Sequence, residues 1–256
     1  MTIRLNNLIF AASLVVGIIL RTFMLLFTVE ESSGFIKHEY APSAALIIAF
    51  LLIAAALVVY SATVNKGIGY KVGVSPYIFG VVEVITAIAI FYEAFLSSLL
   101  DYATPLQMAF NKATALLSII SLLYIAYCTV KGVNAIKIVV VMPIIFWITR
   151  VITIFTEFAS LASVTDTLIE TASMCLCLGV FLDFAKSECQ MPIKNIKISR
   201  AVAALCGYVC AVGSVPRFIC GVINPSGFEY FANIPALTSF AAALFSICFA
   251  LKLKEE

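Results

Sequence analysis

Eight charged side chains interrupt otherwise apolar stretches of this sequence: Arg21, Glu83, Glu93, Lys112, Arg150, Glu157, Glu170 and Arg217, four of each sign. Equal numbers permit full pairing. Each arginine carries a planar fork of donors that matches a carboxylate or a phosphate, and the glutamates can answer arginine or a cation. Arg21, Glu83, Glu93, Arg150, Glu157, Glu170 and Arg217 therefore form the candidate ligand-binding set. No catalytic set accompanies them, because the chain has no histidine pair for a metal, no Ser-His arrangement within its apolar stretches and no Asp-rich phosphate motif. The single histidine, His38, follows Glu30 and Glu31 in an acidic connection that reads as solvated loop.

Cysteine is the other reactive type. The eight cysteines are Cys128, Cys175, Cys177, Cys189, Cys206, Cys210, Cys220 and Cys248, nearly all inside apolar stretches. Cys206 and Cys210 share a helix face, and Cys175-Leu176-Cys177 invites a metal reading. Without histidine partners these thiols read as small apolar residues filling helix contacts, and no metal or cofactor is expected. No nucleotide-binding loop is present either.

The elements that hold these residues are membrane helices. Hydrophobic residues make up 63% of the chain and charged ones 12%, against about 45–50% and about 25% in a soluble domain. A span needs roughly 20 apolar residues to cross about 30 Å of hydrocarbon. Eight stretches qualify: Leu8–Val29, Pro42–Val64, Val74–Ser97, Leu106–Val130, Ile138–Ser160, Thr165–Ser187, Ser199–Ile223 and Phe231–Leu251. Short connections such as Lys131-Gly132 and Asn224-Pro225-Ser226-Gly227 separate them. The expected fold is all-α, a single polytopic transmembrane domain over residues 1–256 arranged as four hairpins. The basic start followed by a long apolar run reads as a retained first helix, since no small-residue cleavage site follows it.

Orientation follows from the basic residues. Arg4, Lys66, Lys71, Lys131, Lys137, Lys186, Lys194, Lys197, Arg200, Lys252 and Lys254 fall on one side and only Lys37 on the other. Both termini are accordingly expected in the cytoplasm, with the protein in the cell (plasma) membrane. The formal net charge of +2 gives no case for nucleic acid.

Alternating helix direction puts seven of the eight intramembrane charges in the outer half, with Glu83 near the middle. Helical spacing gathers polar residues into stripes: Ser13, Gly17, Arg21 and Thr28; Glu83, Thr86 and Glu93; Gln107, Asn111, Thr114, Ser118 and Ser121; Arg150, Thr153 and Glu157; and Asp166, Glu170, Ser173 and Cys177. On the seventh helix Ala203, Gly207, Cys210, Ser214 and Arg217 line up as a small-residue face that permits close approach of a neighbour. The second and eighth helices carry no interior charge and are expected to face lipid. Arg21 and Arg217 sit late in outward-going helices and precede Ser33-Gly34-Phe35 and Ser226-Gly227-Phe228, the pattern of parallel repeats. Pro143 and Pro216 each lie near an arginine, where they open the backbone or only kink it.

Two kinds of function fit. One is binding or transport of a small anionic solute through an outward-facing charged cavity, with energy from an ion gradient or a partner subunit. The other is a non-catalytic sensor, assembly or partner-binding role in which the charges are structural, with a protein partner at the Lys186–Arg200 cytoplasmic loop. The lipid bilayer is a partner in both.

Overall fold

The structure, a computed structural model, describes residues 2–29, 36–64, 68, 74–96, 105–158, 164–223 and 236–253. Among the described residues it is all-helical. The helices are α1 (Thr2–Phe27), α2 (Ala41–Thr63), α3 (Pro76–Phe91), α4 (Pro105–Lys131), α5 (Lys137–Phe158), α6 (Val164–Glu188), α7 (Ile196–Ile223) and α8 (Ala236–Lys252). Lipid offers the backbone no hydrogen-bond partner, and helices satisfy that backbone internally. Six of them are long and apolar enough to cross a membrane: α1, α2, α3 with its continuation to Phe95, α4, α6 and α7.

Local chemistry fixes the helix ends. Proline stands in the first turn of α2 and α3, where its missing N–H costs nothing. Gly132 follows α4 at φ +68°, and the Val133 amide donates to the Cys128 carbonyl, closing the helix with a left-handed residue. Gln190 closes α6 in the same way at φ 56°, with the Met191 amide donating to Lys186. Pro143 and Pro216 lie within continuous helices, α5 and α7.

Helix α7 is the centre of the bundle, packed against α1, α2, α6 and α8. The small-residue face expected on it is used there: a Cβ on Gly207 would come within 2.6 Å of Ile247 and 3.4 Å of the Ala243 carbonyl on α8. Small residues allow such backbone approach in a membrane, where no hydrophobic force drives helices together. Aromatic rings fill one part of the core, with Phe181 stacked on Phe245 at 4.5 Å between centroids and Phe79, Phe184 and Phe249 around them.

The polar stripes mark buried faces well. Ser13 and Arg21 are buried on α1 and Thr28 just beyond its end, and Asn111, Thr114, Ser118 and Ser121 are buried on α4. The expectation for the chargeless helices divides. Helix α2 is mostly exposed and buries one narrow row, Ala44, Ile47, Ala54, Val58, Ser61 and Ala62. Helix α8 corrects the expectation, since it has no exposed residue and packs between α7, α3 and α6. Its Ala and Phe side chains suit a protein core as well as lipid, so lack of charge does not decide between them.

Candidate functional site

Helix α3 does not stop at Phe91 but continues as a π turn over Tyr92–Leu96. Such turns insert a residue into the helical register and occur often at functional sites. Here the wider turn carries Glu93 toward α5, where its carboxylate pairs with Arg150. Both side chains are largely buried, at 5% and 12% exposure. On the same helix as Arg150, Thr153 donates to the Asn111 amide oxygen of α4 at 3.3 Å. Arg150 therefore pairs across helices, as its distance from Glu157 along one helix leads one to expect. The space enclosed by Ile90, Glu93, Ala94, Asn111, Phe146 and Arg150 is about 10 Å³, at the lower limit for a single water molecule. Among the described residues this is a buried ion pair with a hydrogen bond beside it.

Arg21 occupies a different setting. Helices α1 and α7 run parallel, because Gly17 meets Tyr208 while Leu25 and Val29 pack on Cys220 further along. Arg21 lies between these contacts, 2% exposed, with its guanidinium donating to the Met24 sulfur at 3.1 Å. It lines a cavity of about 340 Å³ between α1, α2, α6 and α7. Leu51, Leu52, Ala55, Ile169 and Val212 form much of the wall, and among the described residues Tyr208 is the other polar side chain on it. The Tyr208 hydroxyl is committed elsewhere, donating to the Leu51 carbonyl at 3.1 Å. Arg21 and Arg150 thus line separate spaces that share no residue.

The remaining predicted residues distribute around these two settings. Arg217 is buried on α7, on the same parallel helix pair as Arg21. Glu170 is half-buried on α6, beside Leu168, Ile169 and Ala172 of the cavity wall. Lys112 is half-buried on α4. The Glu157 side chain lies outside the described residues, as do the Ser33–Phe35 and Ser226–Phe228 segments of the repeat comparison. Glu83 is fully buried, with Thr129 donating to it at 3.5 Å. It lies ten residues before Glu93 on α3, within reach of the charges of Glu188 and Lys252 at the ends of α6 and α8. Those two pair at 2.9 Å, and the Lys252 ammonium also sits 4.5 Å from the Phe79 ring centre.

At that end the basic connection is partly spent on the fold. Lys186 pairs with Asp183, which also accepts from Ser199 at 2.6 Å. Arg200 is buried and donates to the Leu253 carbonyl at 3.2 Å, tying α7 to the end of α8. Lys194 and Lys197 remain exposed.

Sequence reasoning missed Tyr208 and the apolar wall contributed by α2. An isolated tyrosine among Ala, Cys and Val carries no signal of the carbonyl it reaches 157 residues away. Comparison with known proteins adds nothing to this geometry: no family model, no curated protein and no solved structure matches the chain.

Proposed function

We propose that this is an eight-span protein of the cell membrane that binds a small amphiphilic anion in the cavity at Arg21. The observation that carries the reading is one buried guanidinium set in an apolar cavity of about 340 Å³. That volume falls in the range of about 300–1,000 Å³ typical of small-molecule sites, which are mostly apolar with few polar groups. Arg21 would take the carboxylate or phosphate of the ligand and the walls from α2, α6 and α7 its apolar part. The solute is then amphiphilic rather than simply charged. In this reading the Glu93–Arg150 pair belongs to the packing and not to the solute path.

The topology we propose is four hairpins with both termini cytoplasmic, supported by the basic-residue asymmetry and by the parallel course of α1 and α7. Whether binding serves uptake or sensing depends on movement of the bound solute. The alternative, an assembly or sensor protein with a cytoplasmic partner, is supported by the buried Glu93–Arg150 pair and would use Lys194 and Lys197 of the Lys186–Arg200 connection.

The test is equilibrium binding of a medium-chain fatty acid, and of its methyl ester, to the full chain in lipid nanodiscs. A charge-assisted contact contributes about 1.5–3 kcal/mol, so the acid should bind about 10–100-fold more tightly, and Arg21→Gln should erase the difference. Equal binding of acid and ester by the unaltered protein would overturn the reading.

A further inference from the structure

Three thiols meet in the middle of the bundle, on helices the ligand reading does not use for charge recognition. Cys177 of α6 lies 3.5 Å from Cys206 and 3.7 Å from Cys210 of α7, and those two are 3.9 Å apart, sulfur to sulfur. All three are fully buried, with at most 1% exposure. Cys206 and Cys210 are one helical turn apart, so a single face of α7 presents both toward α6.

We propose that Cys177, Cys206 and Cys210 form a three-coordinate thiolate site for Cu(I). The geometry is that of a chelate. A point equidistant from the three sulfurs is about 2.1 Å from each, so an ion with metal–sulfur bonds of about 2.3 Å needs to stand less than about 1 Å out of their plane. An all-sulfur donor set selects soft ions. Zinc in a structural site takes four ligands, and among the described residues no histidine or carboxylate joins this group. The thiolate is the ligating form, so loading the site releases a proton for each sulfur that binds.

The surroundings add an outer hydrogen bond. Ser246 of α8, itself fully buried, donates its hydroxyl to the Cys206 sulfur at 3.2 Å. Hydrogen bonds of this kind orient a ligating group and tune the metal it holds. The site thereby draws on three helices, α6, α7 and α8, and a bound ion would clamp the centre of the fold.

The experiment is anaerobic titration of the reduced full-length protein in detergent with Cu(I), in competition with bathocuproine disulfonate, followed by X-ray absorption. The unaltered protein and a Cys220→Ser, Cys248→Ser control should each bind one Cu(I) per chain, with three sulfur neighbours at about 2.3 Å. Cys177→Ser and Cys210→Ser should lose this binding while still eluting as monodisperse protein. Ser246→Ala, which removes no ligand, should weaken it about tenfold and keeps the test decisive where a cysteine variant fails to fold. Binding below one equivalent, binding that survives Cys177→Ser, or a preference for Zn(II) over Cu(I) would overturn the assignment. So would a Cys177–Cys206 disulfide in protein kept free of oxidant.

Discussion

Tyr208 of α7 crosses α1 at Gly17, and the crossing is possible only because Gly17 has no side chain. A Cβ there would lie 2.6 Å from the Tyr208 hydroxyl and 2.7 Å from its ring. Having passed α1, the hydroxyl reaches the backbone of α2 at Leu51. One side chain therefore joins three helices and lines the same cavity as Arg21.

Replacing Gly17 by alanine should destabilise the protein by about 1–3 kcal/mol, the usual cost of forcing extra atoms into a packed site. In a Tyr208→Ala background the same replacement should cost little, because the ring it strikes is gone. Tyr208→Phe should lose only the hydrogen bond, about 0.6 kcal/mol by the average for membrane helices. Unfolding of the four proteins in a double-mutant cycle gives the numbers; additive effects would mean that the two residues do not meet.

The ion pair allows a sharper separation. Breaking a buried pair at one end strands a charge, so Arg150→Met or Glu93→Leu alone should each destabilise by about 3–5 kcal/mol. The double replacement should recover most of that loss. Solute binding at Arg21 should be unaffected by the double variant, which separates the packing role proposed for this pair from a place on a solute path.

These two sites show what the sequence conveyed and what it did not. The stripe through Ser13, Gly17, Arg21 and Thr28 was legible because a helix repeats every 3.6 residues and charge is expensive in lipid; both facts act locally. Which arginine meets which glutamate was not. The spacing placed Glu83, Thr86 and Glu93 on one helical face, and all three are buried, but no residue type announces the π turn at Tyr92–Leu96 that carries Glu93. Equally, Cys177 meeting Cys206 and Cys210 depends on how α6 slides along α7, a relationship between helices that periodicity within one of them does not contain. Helix α8 makes the same point in reverse, since an apolar helix is equally at home against lipid and against protein.

The contrast between α2 and α8 can be read chemically. With a hydrophobic photoreactive probe dissolved in the bilayer, single cysteines placed at Leu52 or Leu57, both exposed on α2, should be labelled. Cysteines at Phe245 or Ala242, buried on α8, should be protected. Labelling of α8 at the level of α2 would mean that α8 lies at the bundle surface.

Topology is open to a direct assay. Cysteines introduced at Lys71, Lys137 and Lys194 should resist an impermeant thiol reagent in intact cells, and those at His38, Tyr102 and Phe228 should react, in a background lacking the native cysteines. A single consistent reversal among the six positions would break the eight-span arrangement.

The cavity itself can be closed without touching its charge. Ala55 of α2 and Ala172 of α6 both line it, opposite the α7 wall, and tryptophan at either position would place a bulky ring into a space of about 340 Å³. If an apolar chain occupies that space, Ala172→Trp should weaken binding of a medium-chain fatty acid at least tenfold while Arg21 remains in place. Shortening the chain should then restore part of the affinity, because each methylene removed from the ligand forfeits only about 0.8 kcal/mol of burial but relieves overlap with the ring. A ligand held by Arg21 at the protein surface would show neither effect, so the dependence on chain length in the Ala172→Trp protein distinguishes a buried amphiphile from an anion bound at the cavity mouth.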